Sequence, residues 1–141
     1  MVFDDQLRPV AGDPKQVSRE GKMHFACYKH LPEVNGVIHA HPRHLSVFAA
    51  LGRPLTPTLD YTAKFGTVEV VPPLPSHSQA VADAVIEKLS PRRSTLAKNG
   101  LGLILADHGV VTVGRDLADA YDTLERLEWS AHILLSQANL T

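Results

Sequence analysis

Along the chain, runs in which apolar and polar residues alternate give way several times to runs in which apolar residues recur at three-and-four spacing, a pattern that predicts strands interleaved with helices. Val2 to Val10 reads as a short strand, and Ala11 to Gln16, which holds Gly12 and Pro14, as a turn. Ser18 is the expected N-cap of a first helix, in which Met23, Phe25, Ala26 and Leu31 recur until Pro32 forces the chain out near Lys29 or His30. Asn35 to His41 is a predicted strand closed by Pro42, and Leu45 to Leu51 a predicted helix ended by Gly52. Arg53 to Thr62, with Pro54 and Pro57, is expected to be irregular, and Gly66 to Val71 to be a strand bounded by Pro72, Pro73 and Pro75. Ser76 or Ser78 then caps a helix through Leu89. Leu101 to Ala106 and Val110 to Val113 are two strands around Asp107-His108-Gly109, and Arg115 to Gln137 is a long amphipathic helix. The short link at His108 permits antiparallel pairing, so an α/β sandwich with a sheet that need not be purely parallel is expected.

Length and charge narrow the classes. The 141 residues suit one domain, expected to span 1–141. Lys and Arg number 14 against 15 Asp and Glu, and no segment gathers the basic residues into a patch, which argues against nucleic acid as a partner. The longest apolar stretches, Val47 to Leu51 and Leu101 to Ala106, fall far short of the roughly 18 residues that span a bilayer. Acidic Asp4 and Asp5 stand where an export signal carries positive charge, and Cys27 is the sole cysteine, so a cytoplasmic location is expected. One cysteine also excludes an intrachain disulfide and a site built on several thiolates. Eight histidines are more than such a composition needs, and they direct attention to metal chemistry.

His39-Ala40-His41 sets two imidazoles two residues apart at the end of a predicted strand, where alternation puts both on one face. Two such ligands can grip one ion, and catalytic zinc commonly takes three protein ligands and keeps a position open. His108, between two other strands and followed by Gly109, is placed to be the third. The other reading of His-X-His is a pair of exposed or hydrogen-bonded histidines. His44 lies beyond Pro42 and reads as structural or surface, and His24 as a helix-face histidine packed under the sheet. His30, His77 and His132 join no constellation, and Tyr121 and Trp129 read as core or interface residues of the last helix.

Ser18-Arg19-Glu20, His24, Tyr28, Pro32-Glu33-Val34-Asn35 and Val37-Ile38-His39-Ala40-His41-Pro42 together resemble the motif region of the class II aldolase/adducin family, of the fuculose-phosphate aldolase type. Leu103-Ile104-Leu105-Ala106-Asp107-His108-Gly109-Val110, Val113-Gly114, Ala118, Ala120, Glu125, Leu127-Glu128 and Ala131 resemble that family's His-Gly strand pair and closing helix. The resemblance runs in order over nearly the whole chain. It implies a three-layer α/β/α sandwich around a mixed, largely antiparallel sheet, shortened at its N-terminal side.

The resemblance further implies a divalent metal, usually zinc, on His39, His41 and His108, and a small hydroxylated carbonyl substrate, a sugar phosphate among the candidates. The implied chemistry is lyase-type carbon–carbon cleavage through a metal-stabilised enediolate, with Glu20 as the proton-moving group. Glu20 also reads as a first-turn helix carboxylate favoured by the macrodipole. Tyr61 falls near a family tyrosine that reaches a neighbouring subunit's site; Asp60 aligns equally well, and both also read as loop polarity. The family usually forms homotetramers. Departures are that Arg19 replaces a serine used for phosphate binding, and that the family's upstream phosphate-binding loops are absent from this sequence. Epimerases, dehydratases and decarboxylases share the ligands, and an adducin-like, non-catalytic assembly domain is the alternative from another class.

Overall fold

Leu101–Leu105 is buried along its whole length, and the sheet is built around it. The computed structural model of the chain describes residues 1–137; the final four residues of the expected 1–141 unit lie outside the described residues. In chain order the elements are β1 (Val2–Phe3), β2 (Pro9–Ala11), α1 (Gly21–His30), β3 (Gly36–Ala40), α2 (Leu45–Ala50), α3 (Asp60–Ala63), β4 (Val70–Val71), α4 (Gln79–Leu89), β5 (Leu101–Leu105), β6 (Gly109–Gly114) and α5 (Leu117–Gln137). Short 3-10 turns cover Pro14–Gln16 and Ser90–Ala97.

The main sheet has the order β3-β6-β5-β4. β3 and β5 each run antiparallel to β6, and β4 runs parallel to β5, so the sheet is mixed and largely antiparallel. Side-chain alternation divides the core in two. Leu101, Leu103, Leu105, Val111, Val113 and Val37 face α1 and α4, where Met23, Ala26, Cys27, Val81 and Val85 meet them. Ile104 and Val110 face α2 and α5, against Leu45, Ala49, Leu124, Leu127 and Ala131. A Cβ at Gly102 would come within 2.6 Å of Leu127 Cδ1, so a residue without a side chain lets α5 lie close on the sheet. Helices on both faces of this sheet give the three-layer α/β/α sandwich.

The topology decides where a site can form. β3, β4 and β5 all point the same way, because β3 and β5 are both antiparallel to β6 and β4 is parallel to β5. Their carboxyl ends share one edge of the sheet, the edge at which open α/β sheets bind ligands.

Several expected elements are adjusted. Val2 to Val10 is two short strands paired antiparallel, because Asp4 accepts from the Gln6 and Arg8 backbone and folds the chain back between them. Ser18 does not cap α1: its hydroxyl accepts the Glu20 N–H at 3.2 Å, two residues early, and Glu20 takes the N-cap position without a side-chain capping bond. The irregular stretch holds α3, and only Val70–Val71 of the Gly66 to Val71 strand joins the sheet, with one isolated bridge between Leu55 and Val68. Of the two candidate caps for α4, Ser78 is the one used, its Oγ accepting from Val81 N. α5 begins at Leu117, two residues later than expected. Tyr121 and Trp129 are 55% and 53% exposed, so neither belongs to the core of the chain. Among the described residues no helix is long and apolar enough to cross a membrane.

Candidate metal centre

Four chain segments bring polar side chains to the shared edge: the end of β3, the β5–β6 turn, the residue that opens α1 and the residue before the cap of α4. His39 and His41 lie on and just past β3, and His108 lies in the turn. Their ring centroids are 4.7 Å (His39–His41), 4.7 Å (His39–His108) and 5.4 Å (His41–His108) apart. One ligand atom from each ring lies within 4.8 Å of the others, so the three could hold one metal ion.

The turn that presents His108 is not bent by Gly109 as the sequence suggested. Asp107 takes the left-handed conformation, φ 59°, while Gly109 keeps an ordinary one. Glycine is needed for room: a Cβ there would lie 2.5 Å from His41 Cδ2 and 2.6 Å from the Ala40 carbonyl oxygen. Its absence lets β6 and the His41 ring approach.

The hydrogen-bond pattern sets the chemistry of the site. His39 Nδ1 donates to the Val110 carbonyl at 2.9 Å, which fixes the tautomer and leaves Nε2 as a lone-pair donor. That Nε2 is buried and has no protein partner. Burial holds the His39 pKa below the ordinary imidazole value, against an upward pull from Glu20, so the ring is neutral and available as a ligand. Four buried side-chain polar atoms among the described residues lack a hydrogen bond, and three belong to this edge: His39 Nε2, Glu20 Oε1 and His77 Nδ1. Glu20 Oε1 and His77 Nδ1 face each other, so His39 Nε2 is the buried atom left without a protein partner, and since buried polar atoms are normally satisfied it fits an ion or substrate as the missing one. Three neutral-capable imidazoles beside a carboxylate are a donor set suited to a divalent transition metal. Cys27 is no competitor, since burial pushes its thiol up to about 12 and it stays protonated.

Glu20 is 8% exposed and sets Oε1 3.4 Å from His108 Nε2. Having no capping duty at α1, its carboxylate is free to face the histidines. Tyr61 is not part of this group. It sits on α3, 43% exposed, with the Arg126 guanidinium of α5 5.8 Å from its ring. Asp60, on the same short helix, is exposed as well.

The profile described as the class II aldolase and adducin N-terminal domain matches residues 1–135. The chain belongs to this class II aldolase/adducin family. It is 33% identical over 143 residues to the 3-oxo-tetronate 4-phosphate decarboxylase of Haemophilus influenzae, covering 96% of this chain and 62% of that protein. It is 32% identical over 142 residues to the L-fuculose phosphate aldolase of Methanococcus vannielii, covering 96% of this chain and 70% of that protein. Among solved structures, an L-fuculose 1-phosphate aldolase superposes with a TM-score of 0.81 at 25% identity, over 98% of this chain and 61% of that one. The chain spans 62%, 66% and 56% of the length of three such relatives. Class II aldolases depend on divalent metals, and the three-histidine group of this family member is arranged to hold one.

Sequence reasoning missed His77. Its Nδ1 lies 2.5 Å from Glu20 Oε1, and its ring centroid 6.0 Å from that of His108. The sequence carries no signal for it beyond the turn-forming run Pro75-Ser76-His77-Ser78, since its contact with Glu20 is made across 57 residues. His44 and His132 also join a constellation, a different one built with Glu128 on the α2–α5 side of the sheet. His24 is half-buried on α1, its pKa lowered by burial and partly restored by Glu20.

Proposed function

We propose that this chain is the metal-binding domain of a lyase that makes or breaks the carbon–carbon bond beside the carbonyl of a small hydroxylated compound. The observation that carries this reading is the convergence of three imidazoles and a buried carboxylate on one edge, with His39 Nε2 buried and without a protein partner. His39, His41 and His108 are the ligands, and zinc, which catalytic sites hold on three imidazoles, is the ion assigned to them. A divalent ion there supplies Lewis-acid polarisation of the substrate's carbonyl oxygen. Glu20, buried beside the ligands, takes up and returns the proton at the carbon next to that carbonyl. Relatives named for fuculose phosphate and for 3-oxo-tetronate 4-phosphate support a phosphorylated, hydroxylated substrate, and aldol cleavage and decarboxylation both break the bond on the far side of the carbon next to such a carbonyl, leaving the electron pair on that carbon. Tyr61, exposed on α3, is assigned to reach the centre of a neighbouring copy in a tetramer, where it would take the proton from the hydroxyl that becomes the aldehyde on cleavage and return it to that oxygen on condensation.

The test is to load the protein with zinc and supply ketose 1-phosphates and 3-oxo-tetronate 4-phosphate, following aldehyde and carbon dioxide release. Turnover of one substrate that disappears in His39→Ala is the expected result. A zinc-loaded protein that cleaves none of them would favour the assembly role instead.

A further inference from the structure

Tyr61 sits on a helix of four residues that is fastened at its base and bare at its tip. Thr62, fully buried, donates its hydroxyl to the Leu59 carbonyl at 2.9 Å, and Phe65, 2% exposed, roots the end of α3 in the core. Arg92 donates to the Phe65 and Thr67 carbonyls on either side of Gly66, whose φ of 61° makes the turn. Tyr61 itself is 43% exposed, and among the described residues its hydroxyl makes no hydrogen bond.

What holds the ring is a cation from another element. The Arg126 guanidinium of α5 lies 5.8 Å from the ring centroid, inside the distance at which a cation is drawn to an aromatic face. Its Nε–H is shared between both carboxylate oxygens of Asp122, at 2.9 and 2.7 Å, one turn earlier on α5. That hydrogen bond also raises the pKa of Arg126, whose charge is therefore permanent. The neighbouring Leu127 is 1% exposed and packs on Gly102 of β5, so the backbone that carries Arg126 is fixed to the sheet. Asp122 and Arg126 thus grip the tyrosine ring and leave its hydroxyl, the group that exchanges a proton, without a competing partner. A surface phenol samples several rotamers, and a ring already held loses less freedom when its hydroxyl must meet a reacting atom.

Resting on the reading of Tyr61 above, we propose that Arg126 is a positioning residue for Tyr61. Anchored by Asp122, it sets the phenol ring in the orientation in which the hydroxyl exchanges its proton with substrate at the neighbouring copy's centre.

The experiment places a fluorotyrosine at position 61 and reads its fluorine resonance in the zinc-loaded protein for wild type, Arg126→Gln and Arg126→Lys, with thermal melting as the check on folding. Arg126→Gln should move the resonance toward that of free fluorotyrosine and narrow it. Arg126→Lys, which keeps a cation over the ring, should stay near wild type. Turnover of ketose 1-phosphates and 3-oxo-tetronate 4-phosphate is then followed in the same variants carrying ordinary tyrosine. Arg126→Gln should lower kcat about tenfold with KM unchanged, as a misplaced reacting group does, and Arg126→Lys should recover most of the loss. In the Tyr61→Phe background the change Arg126→Gln should lower kcat no further, since the coupling runs through the hydroxyl. An unmoved resonance or an unchanged kcat in Arg126→Gln, an equal loss of kcat in both backgrounds, or a rise in KM alone would overturn the proposal. A wild type whose fluorine resonance responds as expected but which turns over none of these substrates would instead defeat the lyase reading itself, and this role with it.

Discussion

Two histidine clusters lie on opposite faces of the same sheet, built from similar side chains and opposite in their bonding. On the α2–α5 side, Glu128 accepts the His44 backbone N–H at 2.8 Å, the His44 ring Nδ1–H at 2.7 Å and the Leu45 N–H at 2.8 Å. His132 Nδ1 donates to His44 Nε2 at 3.2 Å, and the Trp129 ring lies 5.1 Å from the His132 ring. Every nitrogen of His44 and both oxygens of Glu128 have partners, so the cluster clamps the start of α2 to α5. At the other edge, His39, Glu20 and His77 each keep a buried atom without an aligned hydrogen bond. The difference teaches that residue types alone do not mark a site. A satisfied cluster of histidine and glutamate stabilises the fold, and an unsatisfied one is prepared for something that binds.

The largest expected effect separates the two clusters by activity. Glu20→Gln should lower turnover of the metal-loaded protein about 10²–10⁴-fold, the usual contribution of a general acid–base group, while metal content per chain stays unchanged. Steady-state assay with elemental analysis checks both. Next, Glu128→Ala should cost about 2 kcal/mol, the scale of charge-assisted hydrogen bonds to backbone N–H groups, and lower Tm by about 6 °C with zinc stoichiometry intact. A metal content that falls with Glu128 would merge the two clusters.

The smallest effect is a pH slope. Burial lowers the pKa of His39 and His24 from 6.5, with Glu20 pulling partly against it. The unfolded chain therefore binds protons before the folded chain does, and stability of the metal-free protein is full above about pH 6.5 and falls as pH drops below it. Thermal melting from pH 7.5 to 5 should show this decline, and His39→Asn should flatten it.

Much of the candidate site was legible in the sequence because it depends on local rules. His39 and His41 share a strand end, and alternation alone brings them together. His108 was readable as a turn residue between two apolar runs, although the reason for Gly109 was not: its role is to make room for His41 and Ala40, contacts 68 and 69 residues away in sequence, and only tertiary packing reveals it. Helix and strand order followed from periodicity, whereas Ser18 and the Val2 to Val10 segment departed from it through single hydrogen bonds that the pattern does not encode. His77 and the His44–His132 pair went unread for the same reason. Their partners, Glu20 and Glu128, lie 57 and 84 residues away.

The account rests most heavily on which cluster takes the ion. Calorimetric titration of zinc into chelator-treated wild type, His39→Ala/His108→Ala and His44→Ala/His132→Ala tests this directly. One ion per chain in the wild type and in the His44→Ala/His132→Ala variant, with none in His39→Ala/His108→Ala, is the predicted result. Zinc retained by His39→Ala/His108→Ala, or lost only with His44 and His132, would contradict it.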